Sequence, residues 1–287
     1  MSWINLHGHT IFCDGSEYPE TYIQKAVENN MPVYGFSSHA PLPFATTWAI
    51  DDRELLTYRK EIKMLKSKFA AEIEVKASLE IDFIEHRMGP ADKKFADLDL
   101  DYTIGSIHFI SSLKRDAFLQ IDSKNDIFKQ GLVDFFNNDL RYAFRRYFEL
   151  TRKMIIEHKP DIIGHLDKMK IQLDPAEINI EDEYWYWDEI YKTLKVIKEN
   201  KSIVEVNTRG KYKGKTTALF PGRKVLQEIK EMGIPVMLSS DAHTPEEIIE
   251  GFPEAAKILR ELGFKKITVL SDDQWVQKSF DESGIDI

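Results

Sequence analysis

One cysteine, Cys13, stands in 287 residues, so no internal disulfide framework can form and the chain suits a reducing compartment. No stretch is long and apolar enough to cross a membrane as a helix. Met1-Ser2-Trp3-Ile4-Asn5-Leu6-His7 lacks the basic region and apolar run of a secretory signal, which makes the cytoplasm the expected compartment. Basic residues are the minority. Against 48 Asp and Glu there are 39 Lys and Arg, a formal charge of −9, and such a surface has no general attraction for nucleic acid or an anionic membrane. A phosphate-bearing small molecule must therefore meet a locally positive site. Internal repeats, low-complexity tracts and Pro/Gly-rich linkers are also missing, so residues 1–287 read as a single domain. There is no Walker-type Gly-x-x-x-x-Gly-Lys loop, and Ser239-Ser240 lacks the nucleophile-elbow pattern.

What the chain does have is an alternation of short β-prone runs with longer helical patterns, the signature of an α/β protein with a mostly parallel sheet. Strands are expected at Ile4–Leu6, Val33–Phe36, Ile73–Leu79, Tyr102–Gly105, Ile162–Gly164, Ile203–Val206 and Val236–Leu238. Helices are expected at Pro19–Asn30, Asp52–Phe69, Asp134–His158, Glu181–Asn200, Gly222–Met232 and Pro245–Leu262. Strand–helix units in that number fit one barrel. Within Asp134–His158, Leu140, Phe144, Phe148 and Ile155 recur near helical spacing, the mark of an outer-layer helix. Lys266–Leu270 is a further β-prone run, either an eighth unit or a strand outside the barrel. Phe109–Val133 breaks the rhythm: it lacks clear periodicity, is long for a βα connection, and reads as a substrate loop, a lid or a solvated excursion.

The chemistry lies at the ends of these strands. Of the eight histidines, His7, His9, His39, His108, His165 and His243 stand at the carboxyl end of an expected strand, joined by Asp14, Glu80 and Asp241. Parallel strands of a barrel point the same way, so such residues converge on one face. Neutral imidazole and carboxylate are the usual ligands of zinc, iron or manganese, and this set exceeds what one ion can use. Two or three divalent ions follow, with Glu80 bridging a pair. His86 and His158 fall outside the pattern and read as surface residues, Cys13 as a small apolar filler, and Tyr184-Trp185-Tyr186-Trp187 as core or oligomer-contact aromatics on a helix.

His7-Gly8-His9-Thr10 with Cys13-Asp14-Gly15, Ser38-His39-Ala40-Pro41, Leu79-Glu80, Gly105-Ser106-Ile107-His108, Gly164-His165-Leu166-Asp167 and Ser239-Ser240-Asp241-Ala242-His243 resemble, in order, the motifs of the polymerase and histidinol phosphatase (PHP) superfamily. Gly105–Phe109 and Glu205-Val206-Asn207-Thr208-Arg209-Gly210 resemble its histidinol-phosphate phosphatase branch. The resemblance implies a distorted (β/α)7 barrel with a trinuclear metal site at the C-terminal ends of the strands. It assigns His7, His9, Glu80 and Asp241 to one ion, Glu80, His108 and His165 to a second, and Asp14, His39 and His243 to a third. It also implies hydrolysis of L-histidinol phosphate in histidine biosynthesis. The alternatives are a phosphatase or phosphodiesterase acting on nucleotides or other small phosphate esters, and an inactive metal-binding accessory module. Intact residues at every ligand position weigh against decay.

Arg209, next to the sixth strand, is expected to grip the phosphate, with Lys211 beside it. Phe44, Trp48 and Phe118 are the rings expected to meet the rest of the substrate, and Asp14 or His243 to serve proton transfer to the leaving alcohol. The convergent ligands predict at least two transition-metal ions per chain. Elemental analysis of the purified protein checks this, and the absence of stoichiometric metal together with no activation by manganese, zinc or iron would refute it.

Overall fold

Parallel strands buried on both faces need apolar residues on both faces, and the β-prone runs supply them, as at Val33–Phe36 and Val236–Ser239, where every residue is buried. In the computed structural model, which describes residues 1–112, 117–173 and 178–286, β1 (Val33–Phe36) pairs in parallel with β2 (Glu74–Ala77). After a break at Ser78 and Leu79 the chain resumes as β3 (Glu80–Asp82), followed by β4 (Ile104–Ser106). A short antiparallel hairpin, β5 (Phe109–Ser111) and β6 (Phe118–Gln120), comes next. With β7 (Ile162–Ile163), β8 (Ile203–Asn207) and β9 (Val236–Ser239), the strands β3 and β4 complete a parallel sheet in the order β3-β4-β7-β8-β9.

Single parallel bridges join the two parallel groups: Asn5 to Tyr34, His39 to Glu80, and Gly8 to Ala242. The expected strand Ile4–Leu6 thus carries a single isolated bridge, at Asn5, because the backbone of this segment divides its bonds between two neighbours. Asn5 and Gly8 carbonyls accept from Gly35 and Ser37, while His7 and His9 exchange bonds with Ala242.

The helices are α1 (Pro19–Glu28), α2 (Leu55–Lys68), the single turn α3 (Lys93–Ala96), α4 (Asn125–Phe136), α5 (Leu140–His158), α6 (Tyr184–Asn200), the turn α7 (Arg209–Tyr212), α8 (Arg223–Glu231) and α9 (Phe252–Glu261). No helix among the described residues is long and apolar enough to cross a membrane. Tyr22, Ile23, Tyr58 and Ile62 pack one hydrophobic cluster under α1 and α2. Phe144, Phe148, Ile190, Leu226 and Leu259 belong to a larger one under α5, α6, α8 and α9. Of the aromatic run on α6, Tyr186 is core and Tyr184 is exposed.

Three expectations are corrected. The helix expected at Asp134–His158 is broken, since Asn137 and Asn138 sit in the left-handed region at φ 53° and 59°, which asparagine tolerates better than most residues. Asp139 then caps α5 by accepting from the Tyr142 amide at 2.8 Å. Likewise Pro245–Leu262 splits into a 3-10 turn and α9 at Gly251, φ 77°, with Pro253 in the first turn. Phe109–Val133 is largely the hairpin and α4 rather than a loop, apart from residues 113–116, which lie outside the described residues. The buried Arg146 guanidinium of α5 fastens this hairpin, pairing with Glu85 and donating to Ser111 Oγ at 3.1 Å.

Lys266–Leu270 lies outside the parallel set. It forms β10 (Lys266–Ser271), paired antiparallel with β11 (Gln274–Asp281), which pairs in turn with β12 (Gly284–Ile285). The two-residue turn Asp272-Asp273 has φ 51° and 56°, as tight hairpins require. Trp275 packs on Tyr102 at 6.2 Å and the Asp272 amide donates to Glu74 at 3.2 Å, so the hairpin sits against the N-terminal ends of the strands, away from the histidines. His158 is half-buried rather than free: its Nδ1 accepts from the Ala91 amide at 3.2 Å and its ring packs on Phe83.

Because Asp139 satisfies a free amide at the start of α5, Asp139→Ala should lower stability by about 1 kcal/mol. Urea unfolding followed by circular dichroism checks it, as a reduced midpoint with an unchanged slope.

Candidate metal centre

Alternation along an extended segment puts His7 and His9 on the same side. The residue between them must be small, because a Cβ on Gly8 would lie 2.2 Å from the Tyr34 hydroxyl. A Cβ on Gly15 would fall 2.5 Å from the backbone of His9 and Thr10, so glycine lets the first loop fold tightly back. That fold carries Asp14 Oδ1 to within 3.3 Å of His243 Nε2, 3.7 Å of His39 Nε2 and 3.8 Å of His9 Nδ1. Two of the site's residues, His165 and Asp241, have φ of 25° and 51°, a costly backbone that functional sites tend to store.

Glu80, only 1% exposed, is the hub. Its Oε2 lies 3.0 Å from His39 Nδ1, 3.3 Å from His7 Nε2 and 3.7 Å from His9 Nε2. Its Oε1 lies 2.8 Å from His165 Nε2 and 3.7 Å from His108 Nε2. Three overlapping groups can each hold an ion: His7, His9 and Asp241; His39, Glu80 and His108; and His9, Asp14, His39 and His243. The grouping differs from the split implied by resemblance, since His9 and His39 each reach two groups, Glu80 stands only with His39 and His108, and His165, beside Glu80, is in none of the three.

These residues fit divalent metal. His7 Nε2, His9 Nε2, His39 Nδ1 and His165 Nδ1 are buried without a hydrogen-bond partner, an arrangement that costs free energy unless something else occupies the lone pairs. Electrostatics agree. Burial by itself would push the His7 imidazole down, yet Glu205, Asp241 and Glu80 outweigh it and raise its pKa well above the usual range. For Glu80 and Asp241 burial works upward and the surrounding imidazoles prevail, holding both carboxyls well below the usual carboxylate range. A cation among these carboxylates takes the place of the His7 proton. His9 is driven the other way, first by burial and then by His243 and His39, so it remains neutral and ready to ligate. Burial and Asp14 push the Cys13 thiol up to about 11, which keeps it protonated and unfit as a nucleophile.

A supporting layer orients the imidazoles, and the sequence analysis missed it. His7 Nδ1 donates to buried Glu205, whose Oε1 also accepts from Ser239 Oγ at 2.5 Å and whose Oε2 accepts from the His165 amide at 2.7 Å. His108 Nδ1 faces Asp82 at 3.1 Å, leaving Nε2 toward the site. Asn207 Nδ2 links Glu205 to Asp241, at 3.2 and 3.1 Å. Two signals were available: Glu205 is an acid inside an apolar strand, and Asp82 is two residues from Glu80, on the same face.

The site opens into a cavity of about 230 Å³. Arg209 lines it, its Nη1 donating to the Asp241 carbonyl at 2.9 Å, to Glu247 at 3.0 Å and to Tyr212 at 3.2 Å. Trp48 lines it too, edge-on to His39 at 4.6 Å. Phe44 and Phe118 do not line the cavity; they stack on each other at 5.4 Å, packed with Phe109 behind Trp48. Lys211 turns away to Glu254, at 3.1 Å, whereas Lys215 lines the cavity. Lys168 and Asp122 also line it, and neither was singled out. Lys168 Nζ lies 3.1 Å from both His108 Nε2 and Asp122 Oδ2. Lys168 follows His165 by three residues on a 3-10 turn (Lys168–Gln172) and was open to inference; Asp122 is brought in only by the hairpin.

Since metal must displace the His7 proton, binding of zinc or manganese to the metal-free chain should release protons near neutrality and tighten as pH rises, until the raised His7 pKa is passed. Calorimetry in buffers of different ionisation enthalpy reads this directly. Glu80→Ala should lose stoichiometric metal while retaining its circular dichroism spectrum; full metal content would show that Glu80 is not the hub.

The PHP domain family model matches residues 5–209. A Deinococcus radiodurans protein named probable histidinol-phosphatase is 29% identical over 269 residues, covering 91% of this chain and 94% of that one. The histidinol-phosphatase of Bacillus subtilis is 25% identical, covering 84% and 94%. Among solved structures, a Lactococcus lactis histidinol phosphate phosphatase complexed with zinc, L-histidinol and phosphate superposes with a TM-score of 0.70 at 18% identity, covering 100% of this chain and 99% of that one. The α/β fold is thus shared with that enzyme, and the model that matches most of the sequence includes seven of the nine convergent candidate ligands: this chain belongs to the PHP domain family.

Proposed function

We propose that the chain is a metal-dependent phosphate monoesterase that converts L-histidinol phosphate and water to L-histidinol and phosphate. The observation that carries this reading is the meeting, in one cavity, of three overlapping imidazole–carboxylate groups with the cations Lys168 and Arg209. The near-full-length match to proteins named histidinol-phosphatase supports the choice of ester. A single cysteine and a biosynthetic role suit the cytoplasm. We read the parallel strands and their three bridges as one distorted (β/α)7 barrel, a single domain over residues 1–287, with the site on its C-terminal face.

His7, His9 and Asp241 would hold one divalent ion, His108 and His165 a second, and Asp14, His39 and His243 a third, with Glu80 shared between the first two. Such ions, when bound, polarise phosphoryl oxygens and lower the pKa of water. The chain's own residues do the rest. Glu205 and Asp82 hold His7 and His108 in one tautomer and orientation. Tyr212 and Glu247 fix the plane of the Arg209 guanidinium at the cavity wall. There it and Lys168 oppose the negative charge that spreads over the non-bridging oxygens as water attacks phosphorus and the ester P–O bond breaks. Asp14 and His243, 3.3 Å apart and partly open to solvent, are the groups we assign to supplying a proton to the leaving alkoxide.

Phosphate release by the zinc-, manganese- or iron-loaded protein should be faster from L-histidinol phosphate than from nucleotide monophosphates or an aryl phosphate; preference for a nucleotide would overturn the assignment. A charge-assisted arginine contact is worth roughly 1.5–3 kcal/mol. Arg209→Met should accordingly cost about tenfold to a hundredfold in kcat/KM for every ester, with metal content unchanged. A loss confined to one ester would mean that Arg209 reads the leaving group instead.

A further inference from the structure

Two positive charges have to stand side by side at the outer edge of the site. Arg209 lines the phosphate cavity, and its Nη1 donates at 2.9 Å to the carbonyl of Asp241, whose own Oδ1 lies 3.1 Å from His9 Nε2 in one candidate metal group. His243, two residues on, belongs with His9, Asp14 and His39 to another. A guanidinium fixed to the backbone between two such ligands opposes any divalent cation placed on them, and water screens this repulsion poorly in a buried site. Left uncompensated, it would weaken the metal that the imidazoles and carboxylates are arranged to hold.

Glu247 stands where compensation is needed. It closes the 3-10 turn Pro245–Glu247, is only 7% exposed and belongs to none of the three metal groups. Its Oε2 accepts from Arg209 Nη1 at 3.0 Å, from the His243 amide at 2.9 Å and from the Tyr212 hydroxyl at 3.3 Å, and its Oε1 pairs with Lys213. One carboxylate thus offsets the arginine and pins the backbone of a ligand. The His243 carbonyl is held in turn by Tyr22 Oη at 2.7 Å and the Ser16 amide at 2.8 Å. Its Nδ1 donates to the Asp241 carbonyl at 3.0 Å, which leaves Nε2 for the site.

We propose that Glu247 is a positioning residue that supplies the counter-charge by which a phosphate-binding guanidinium and a divalent cation can occupy neighbouring places, the cation at Asp14, His39 and His243 above all. The role goes beyond the phosphatase reading and rests on it only for the presence of metal. Glu247 acts through Arg209 and His243 rather than on the reacting atoms.

The test reads zinc affinity rather than turnover. Competition with a fluorescent chelator gives the dissociation constant of the most weakly held zinc in the parent chain, Glu247→Gln, Arg209→Met and the double variant. Glu247→Gln keeps the shape and an acceptor for the His243 amide but removes the charge. It should weaken that zinc by about tenfold to a hundredfold, the range of one charge-assisted contact, with the tighter zinc and the circular dichroism spectrum retained. Arg209→Met alone removes the repulsion and should hold the zinc at least as tightly as the parent. In the double variant neither charge remains and most of the lost affinity should return, a non-additivity that a merely structural contact does not give. Unchanged affinity in Glu247→Gln overturns the proposal, and so does a double variant as weak as Glu247→Gln, which would make Glu247 a prop for the turn and nothing more. If Glu247→Gln does not fold, Arg209→Met decides, since looser zinc in that variant also overturns it. Phosphate release from L-histidinol phosphate by the zinc-saturated parent chain tests the phosphatase reading separately: no release with the zinc pattern intact sinks that reading and leaves Glu247 its role, whereas a parent chain that holds no zinc sinks both.

Discussion

Everything at the C-terminal ends of the strands depends on one buried carboxylate. Glu80 is almost wholly removed from water, and an isolated ionised carboxylate in that setting would cost several kcal/mol. The chain answers by bringing five imidazoles from four separate segments to within 4 Å of its two oxygens. Several of these imidazoles keep a buried nitrogen unpartnered. The cluster is therefore complete only with cations in it, and the fold around it can be understood as scaffolding for a charge that the protein does not supply itself.

That scaffolding is layered. The first loop reaches the site only because Gly8 and Gly15 allow backbone and ring to approach at distances a Cβ would forbid. Behind the imidazoles, Glu205 touches three of the elements that must keep register: His7 at the first segment, the His165 amide after β7, and Ser239 at the end of β9. One buried acid thus ties strand ends to one another while orienting a ligand. The supporting residues are as buried as the ligands themselves, which keeps the geometry rigid enough for metal.

The wall opposite the metals follows another logic. It comes from the β5–β6 hairpin and the 3-10 turn after β7, and the Arg146 guanidinium, paired with Glu85 and bonded to Ser111, fastens the hairpin. Here the polar groups face a cavity rather than each other, and charges of both signs alternate around it.

The sequence by itself determined the α/β alternation and marked the candidate ligands, because both are local. Strand runs are apolar on both faces, and a ligand at a strand end needs only its own position to be counted. It also exposed the family, since the motifs His7-Gly8-His9 through Asp241-Ala242-His243 lie in order along the chain. Tertiary structure decided what depends on contacts distant in sequence. The break between α4 and α5 is set by left-handed asparagines that helical spacing does not reveal. The departure of Lys266–Leu270 from the parallel set depends on antiparallel pairing with β11. Lys211 and Lys215 look alike in one lysine-rich run, yet the first, on α7, is captured by Glu254 on α9 and the second faces the cavity. Asp122 carries no mark at all in its own neighbourhood. It joins the site because a hairpin folds it against Lys168, 46 residues further along the chain, and a pairing across that separation is fixed by the packing of whole elements rather than by any local pattern.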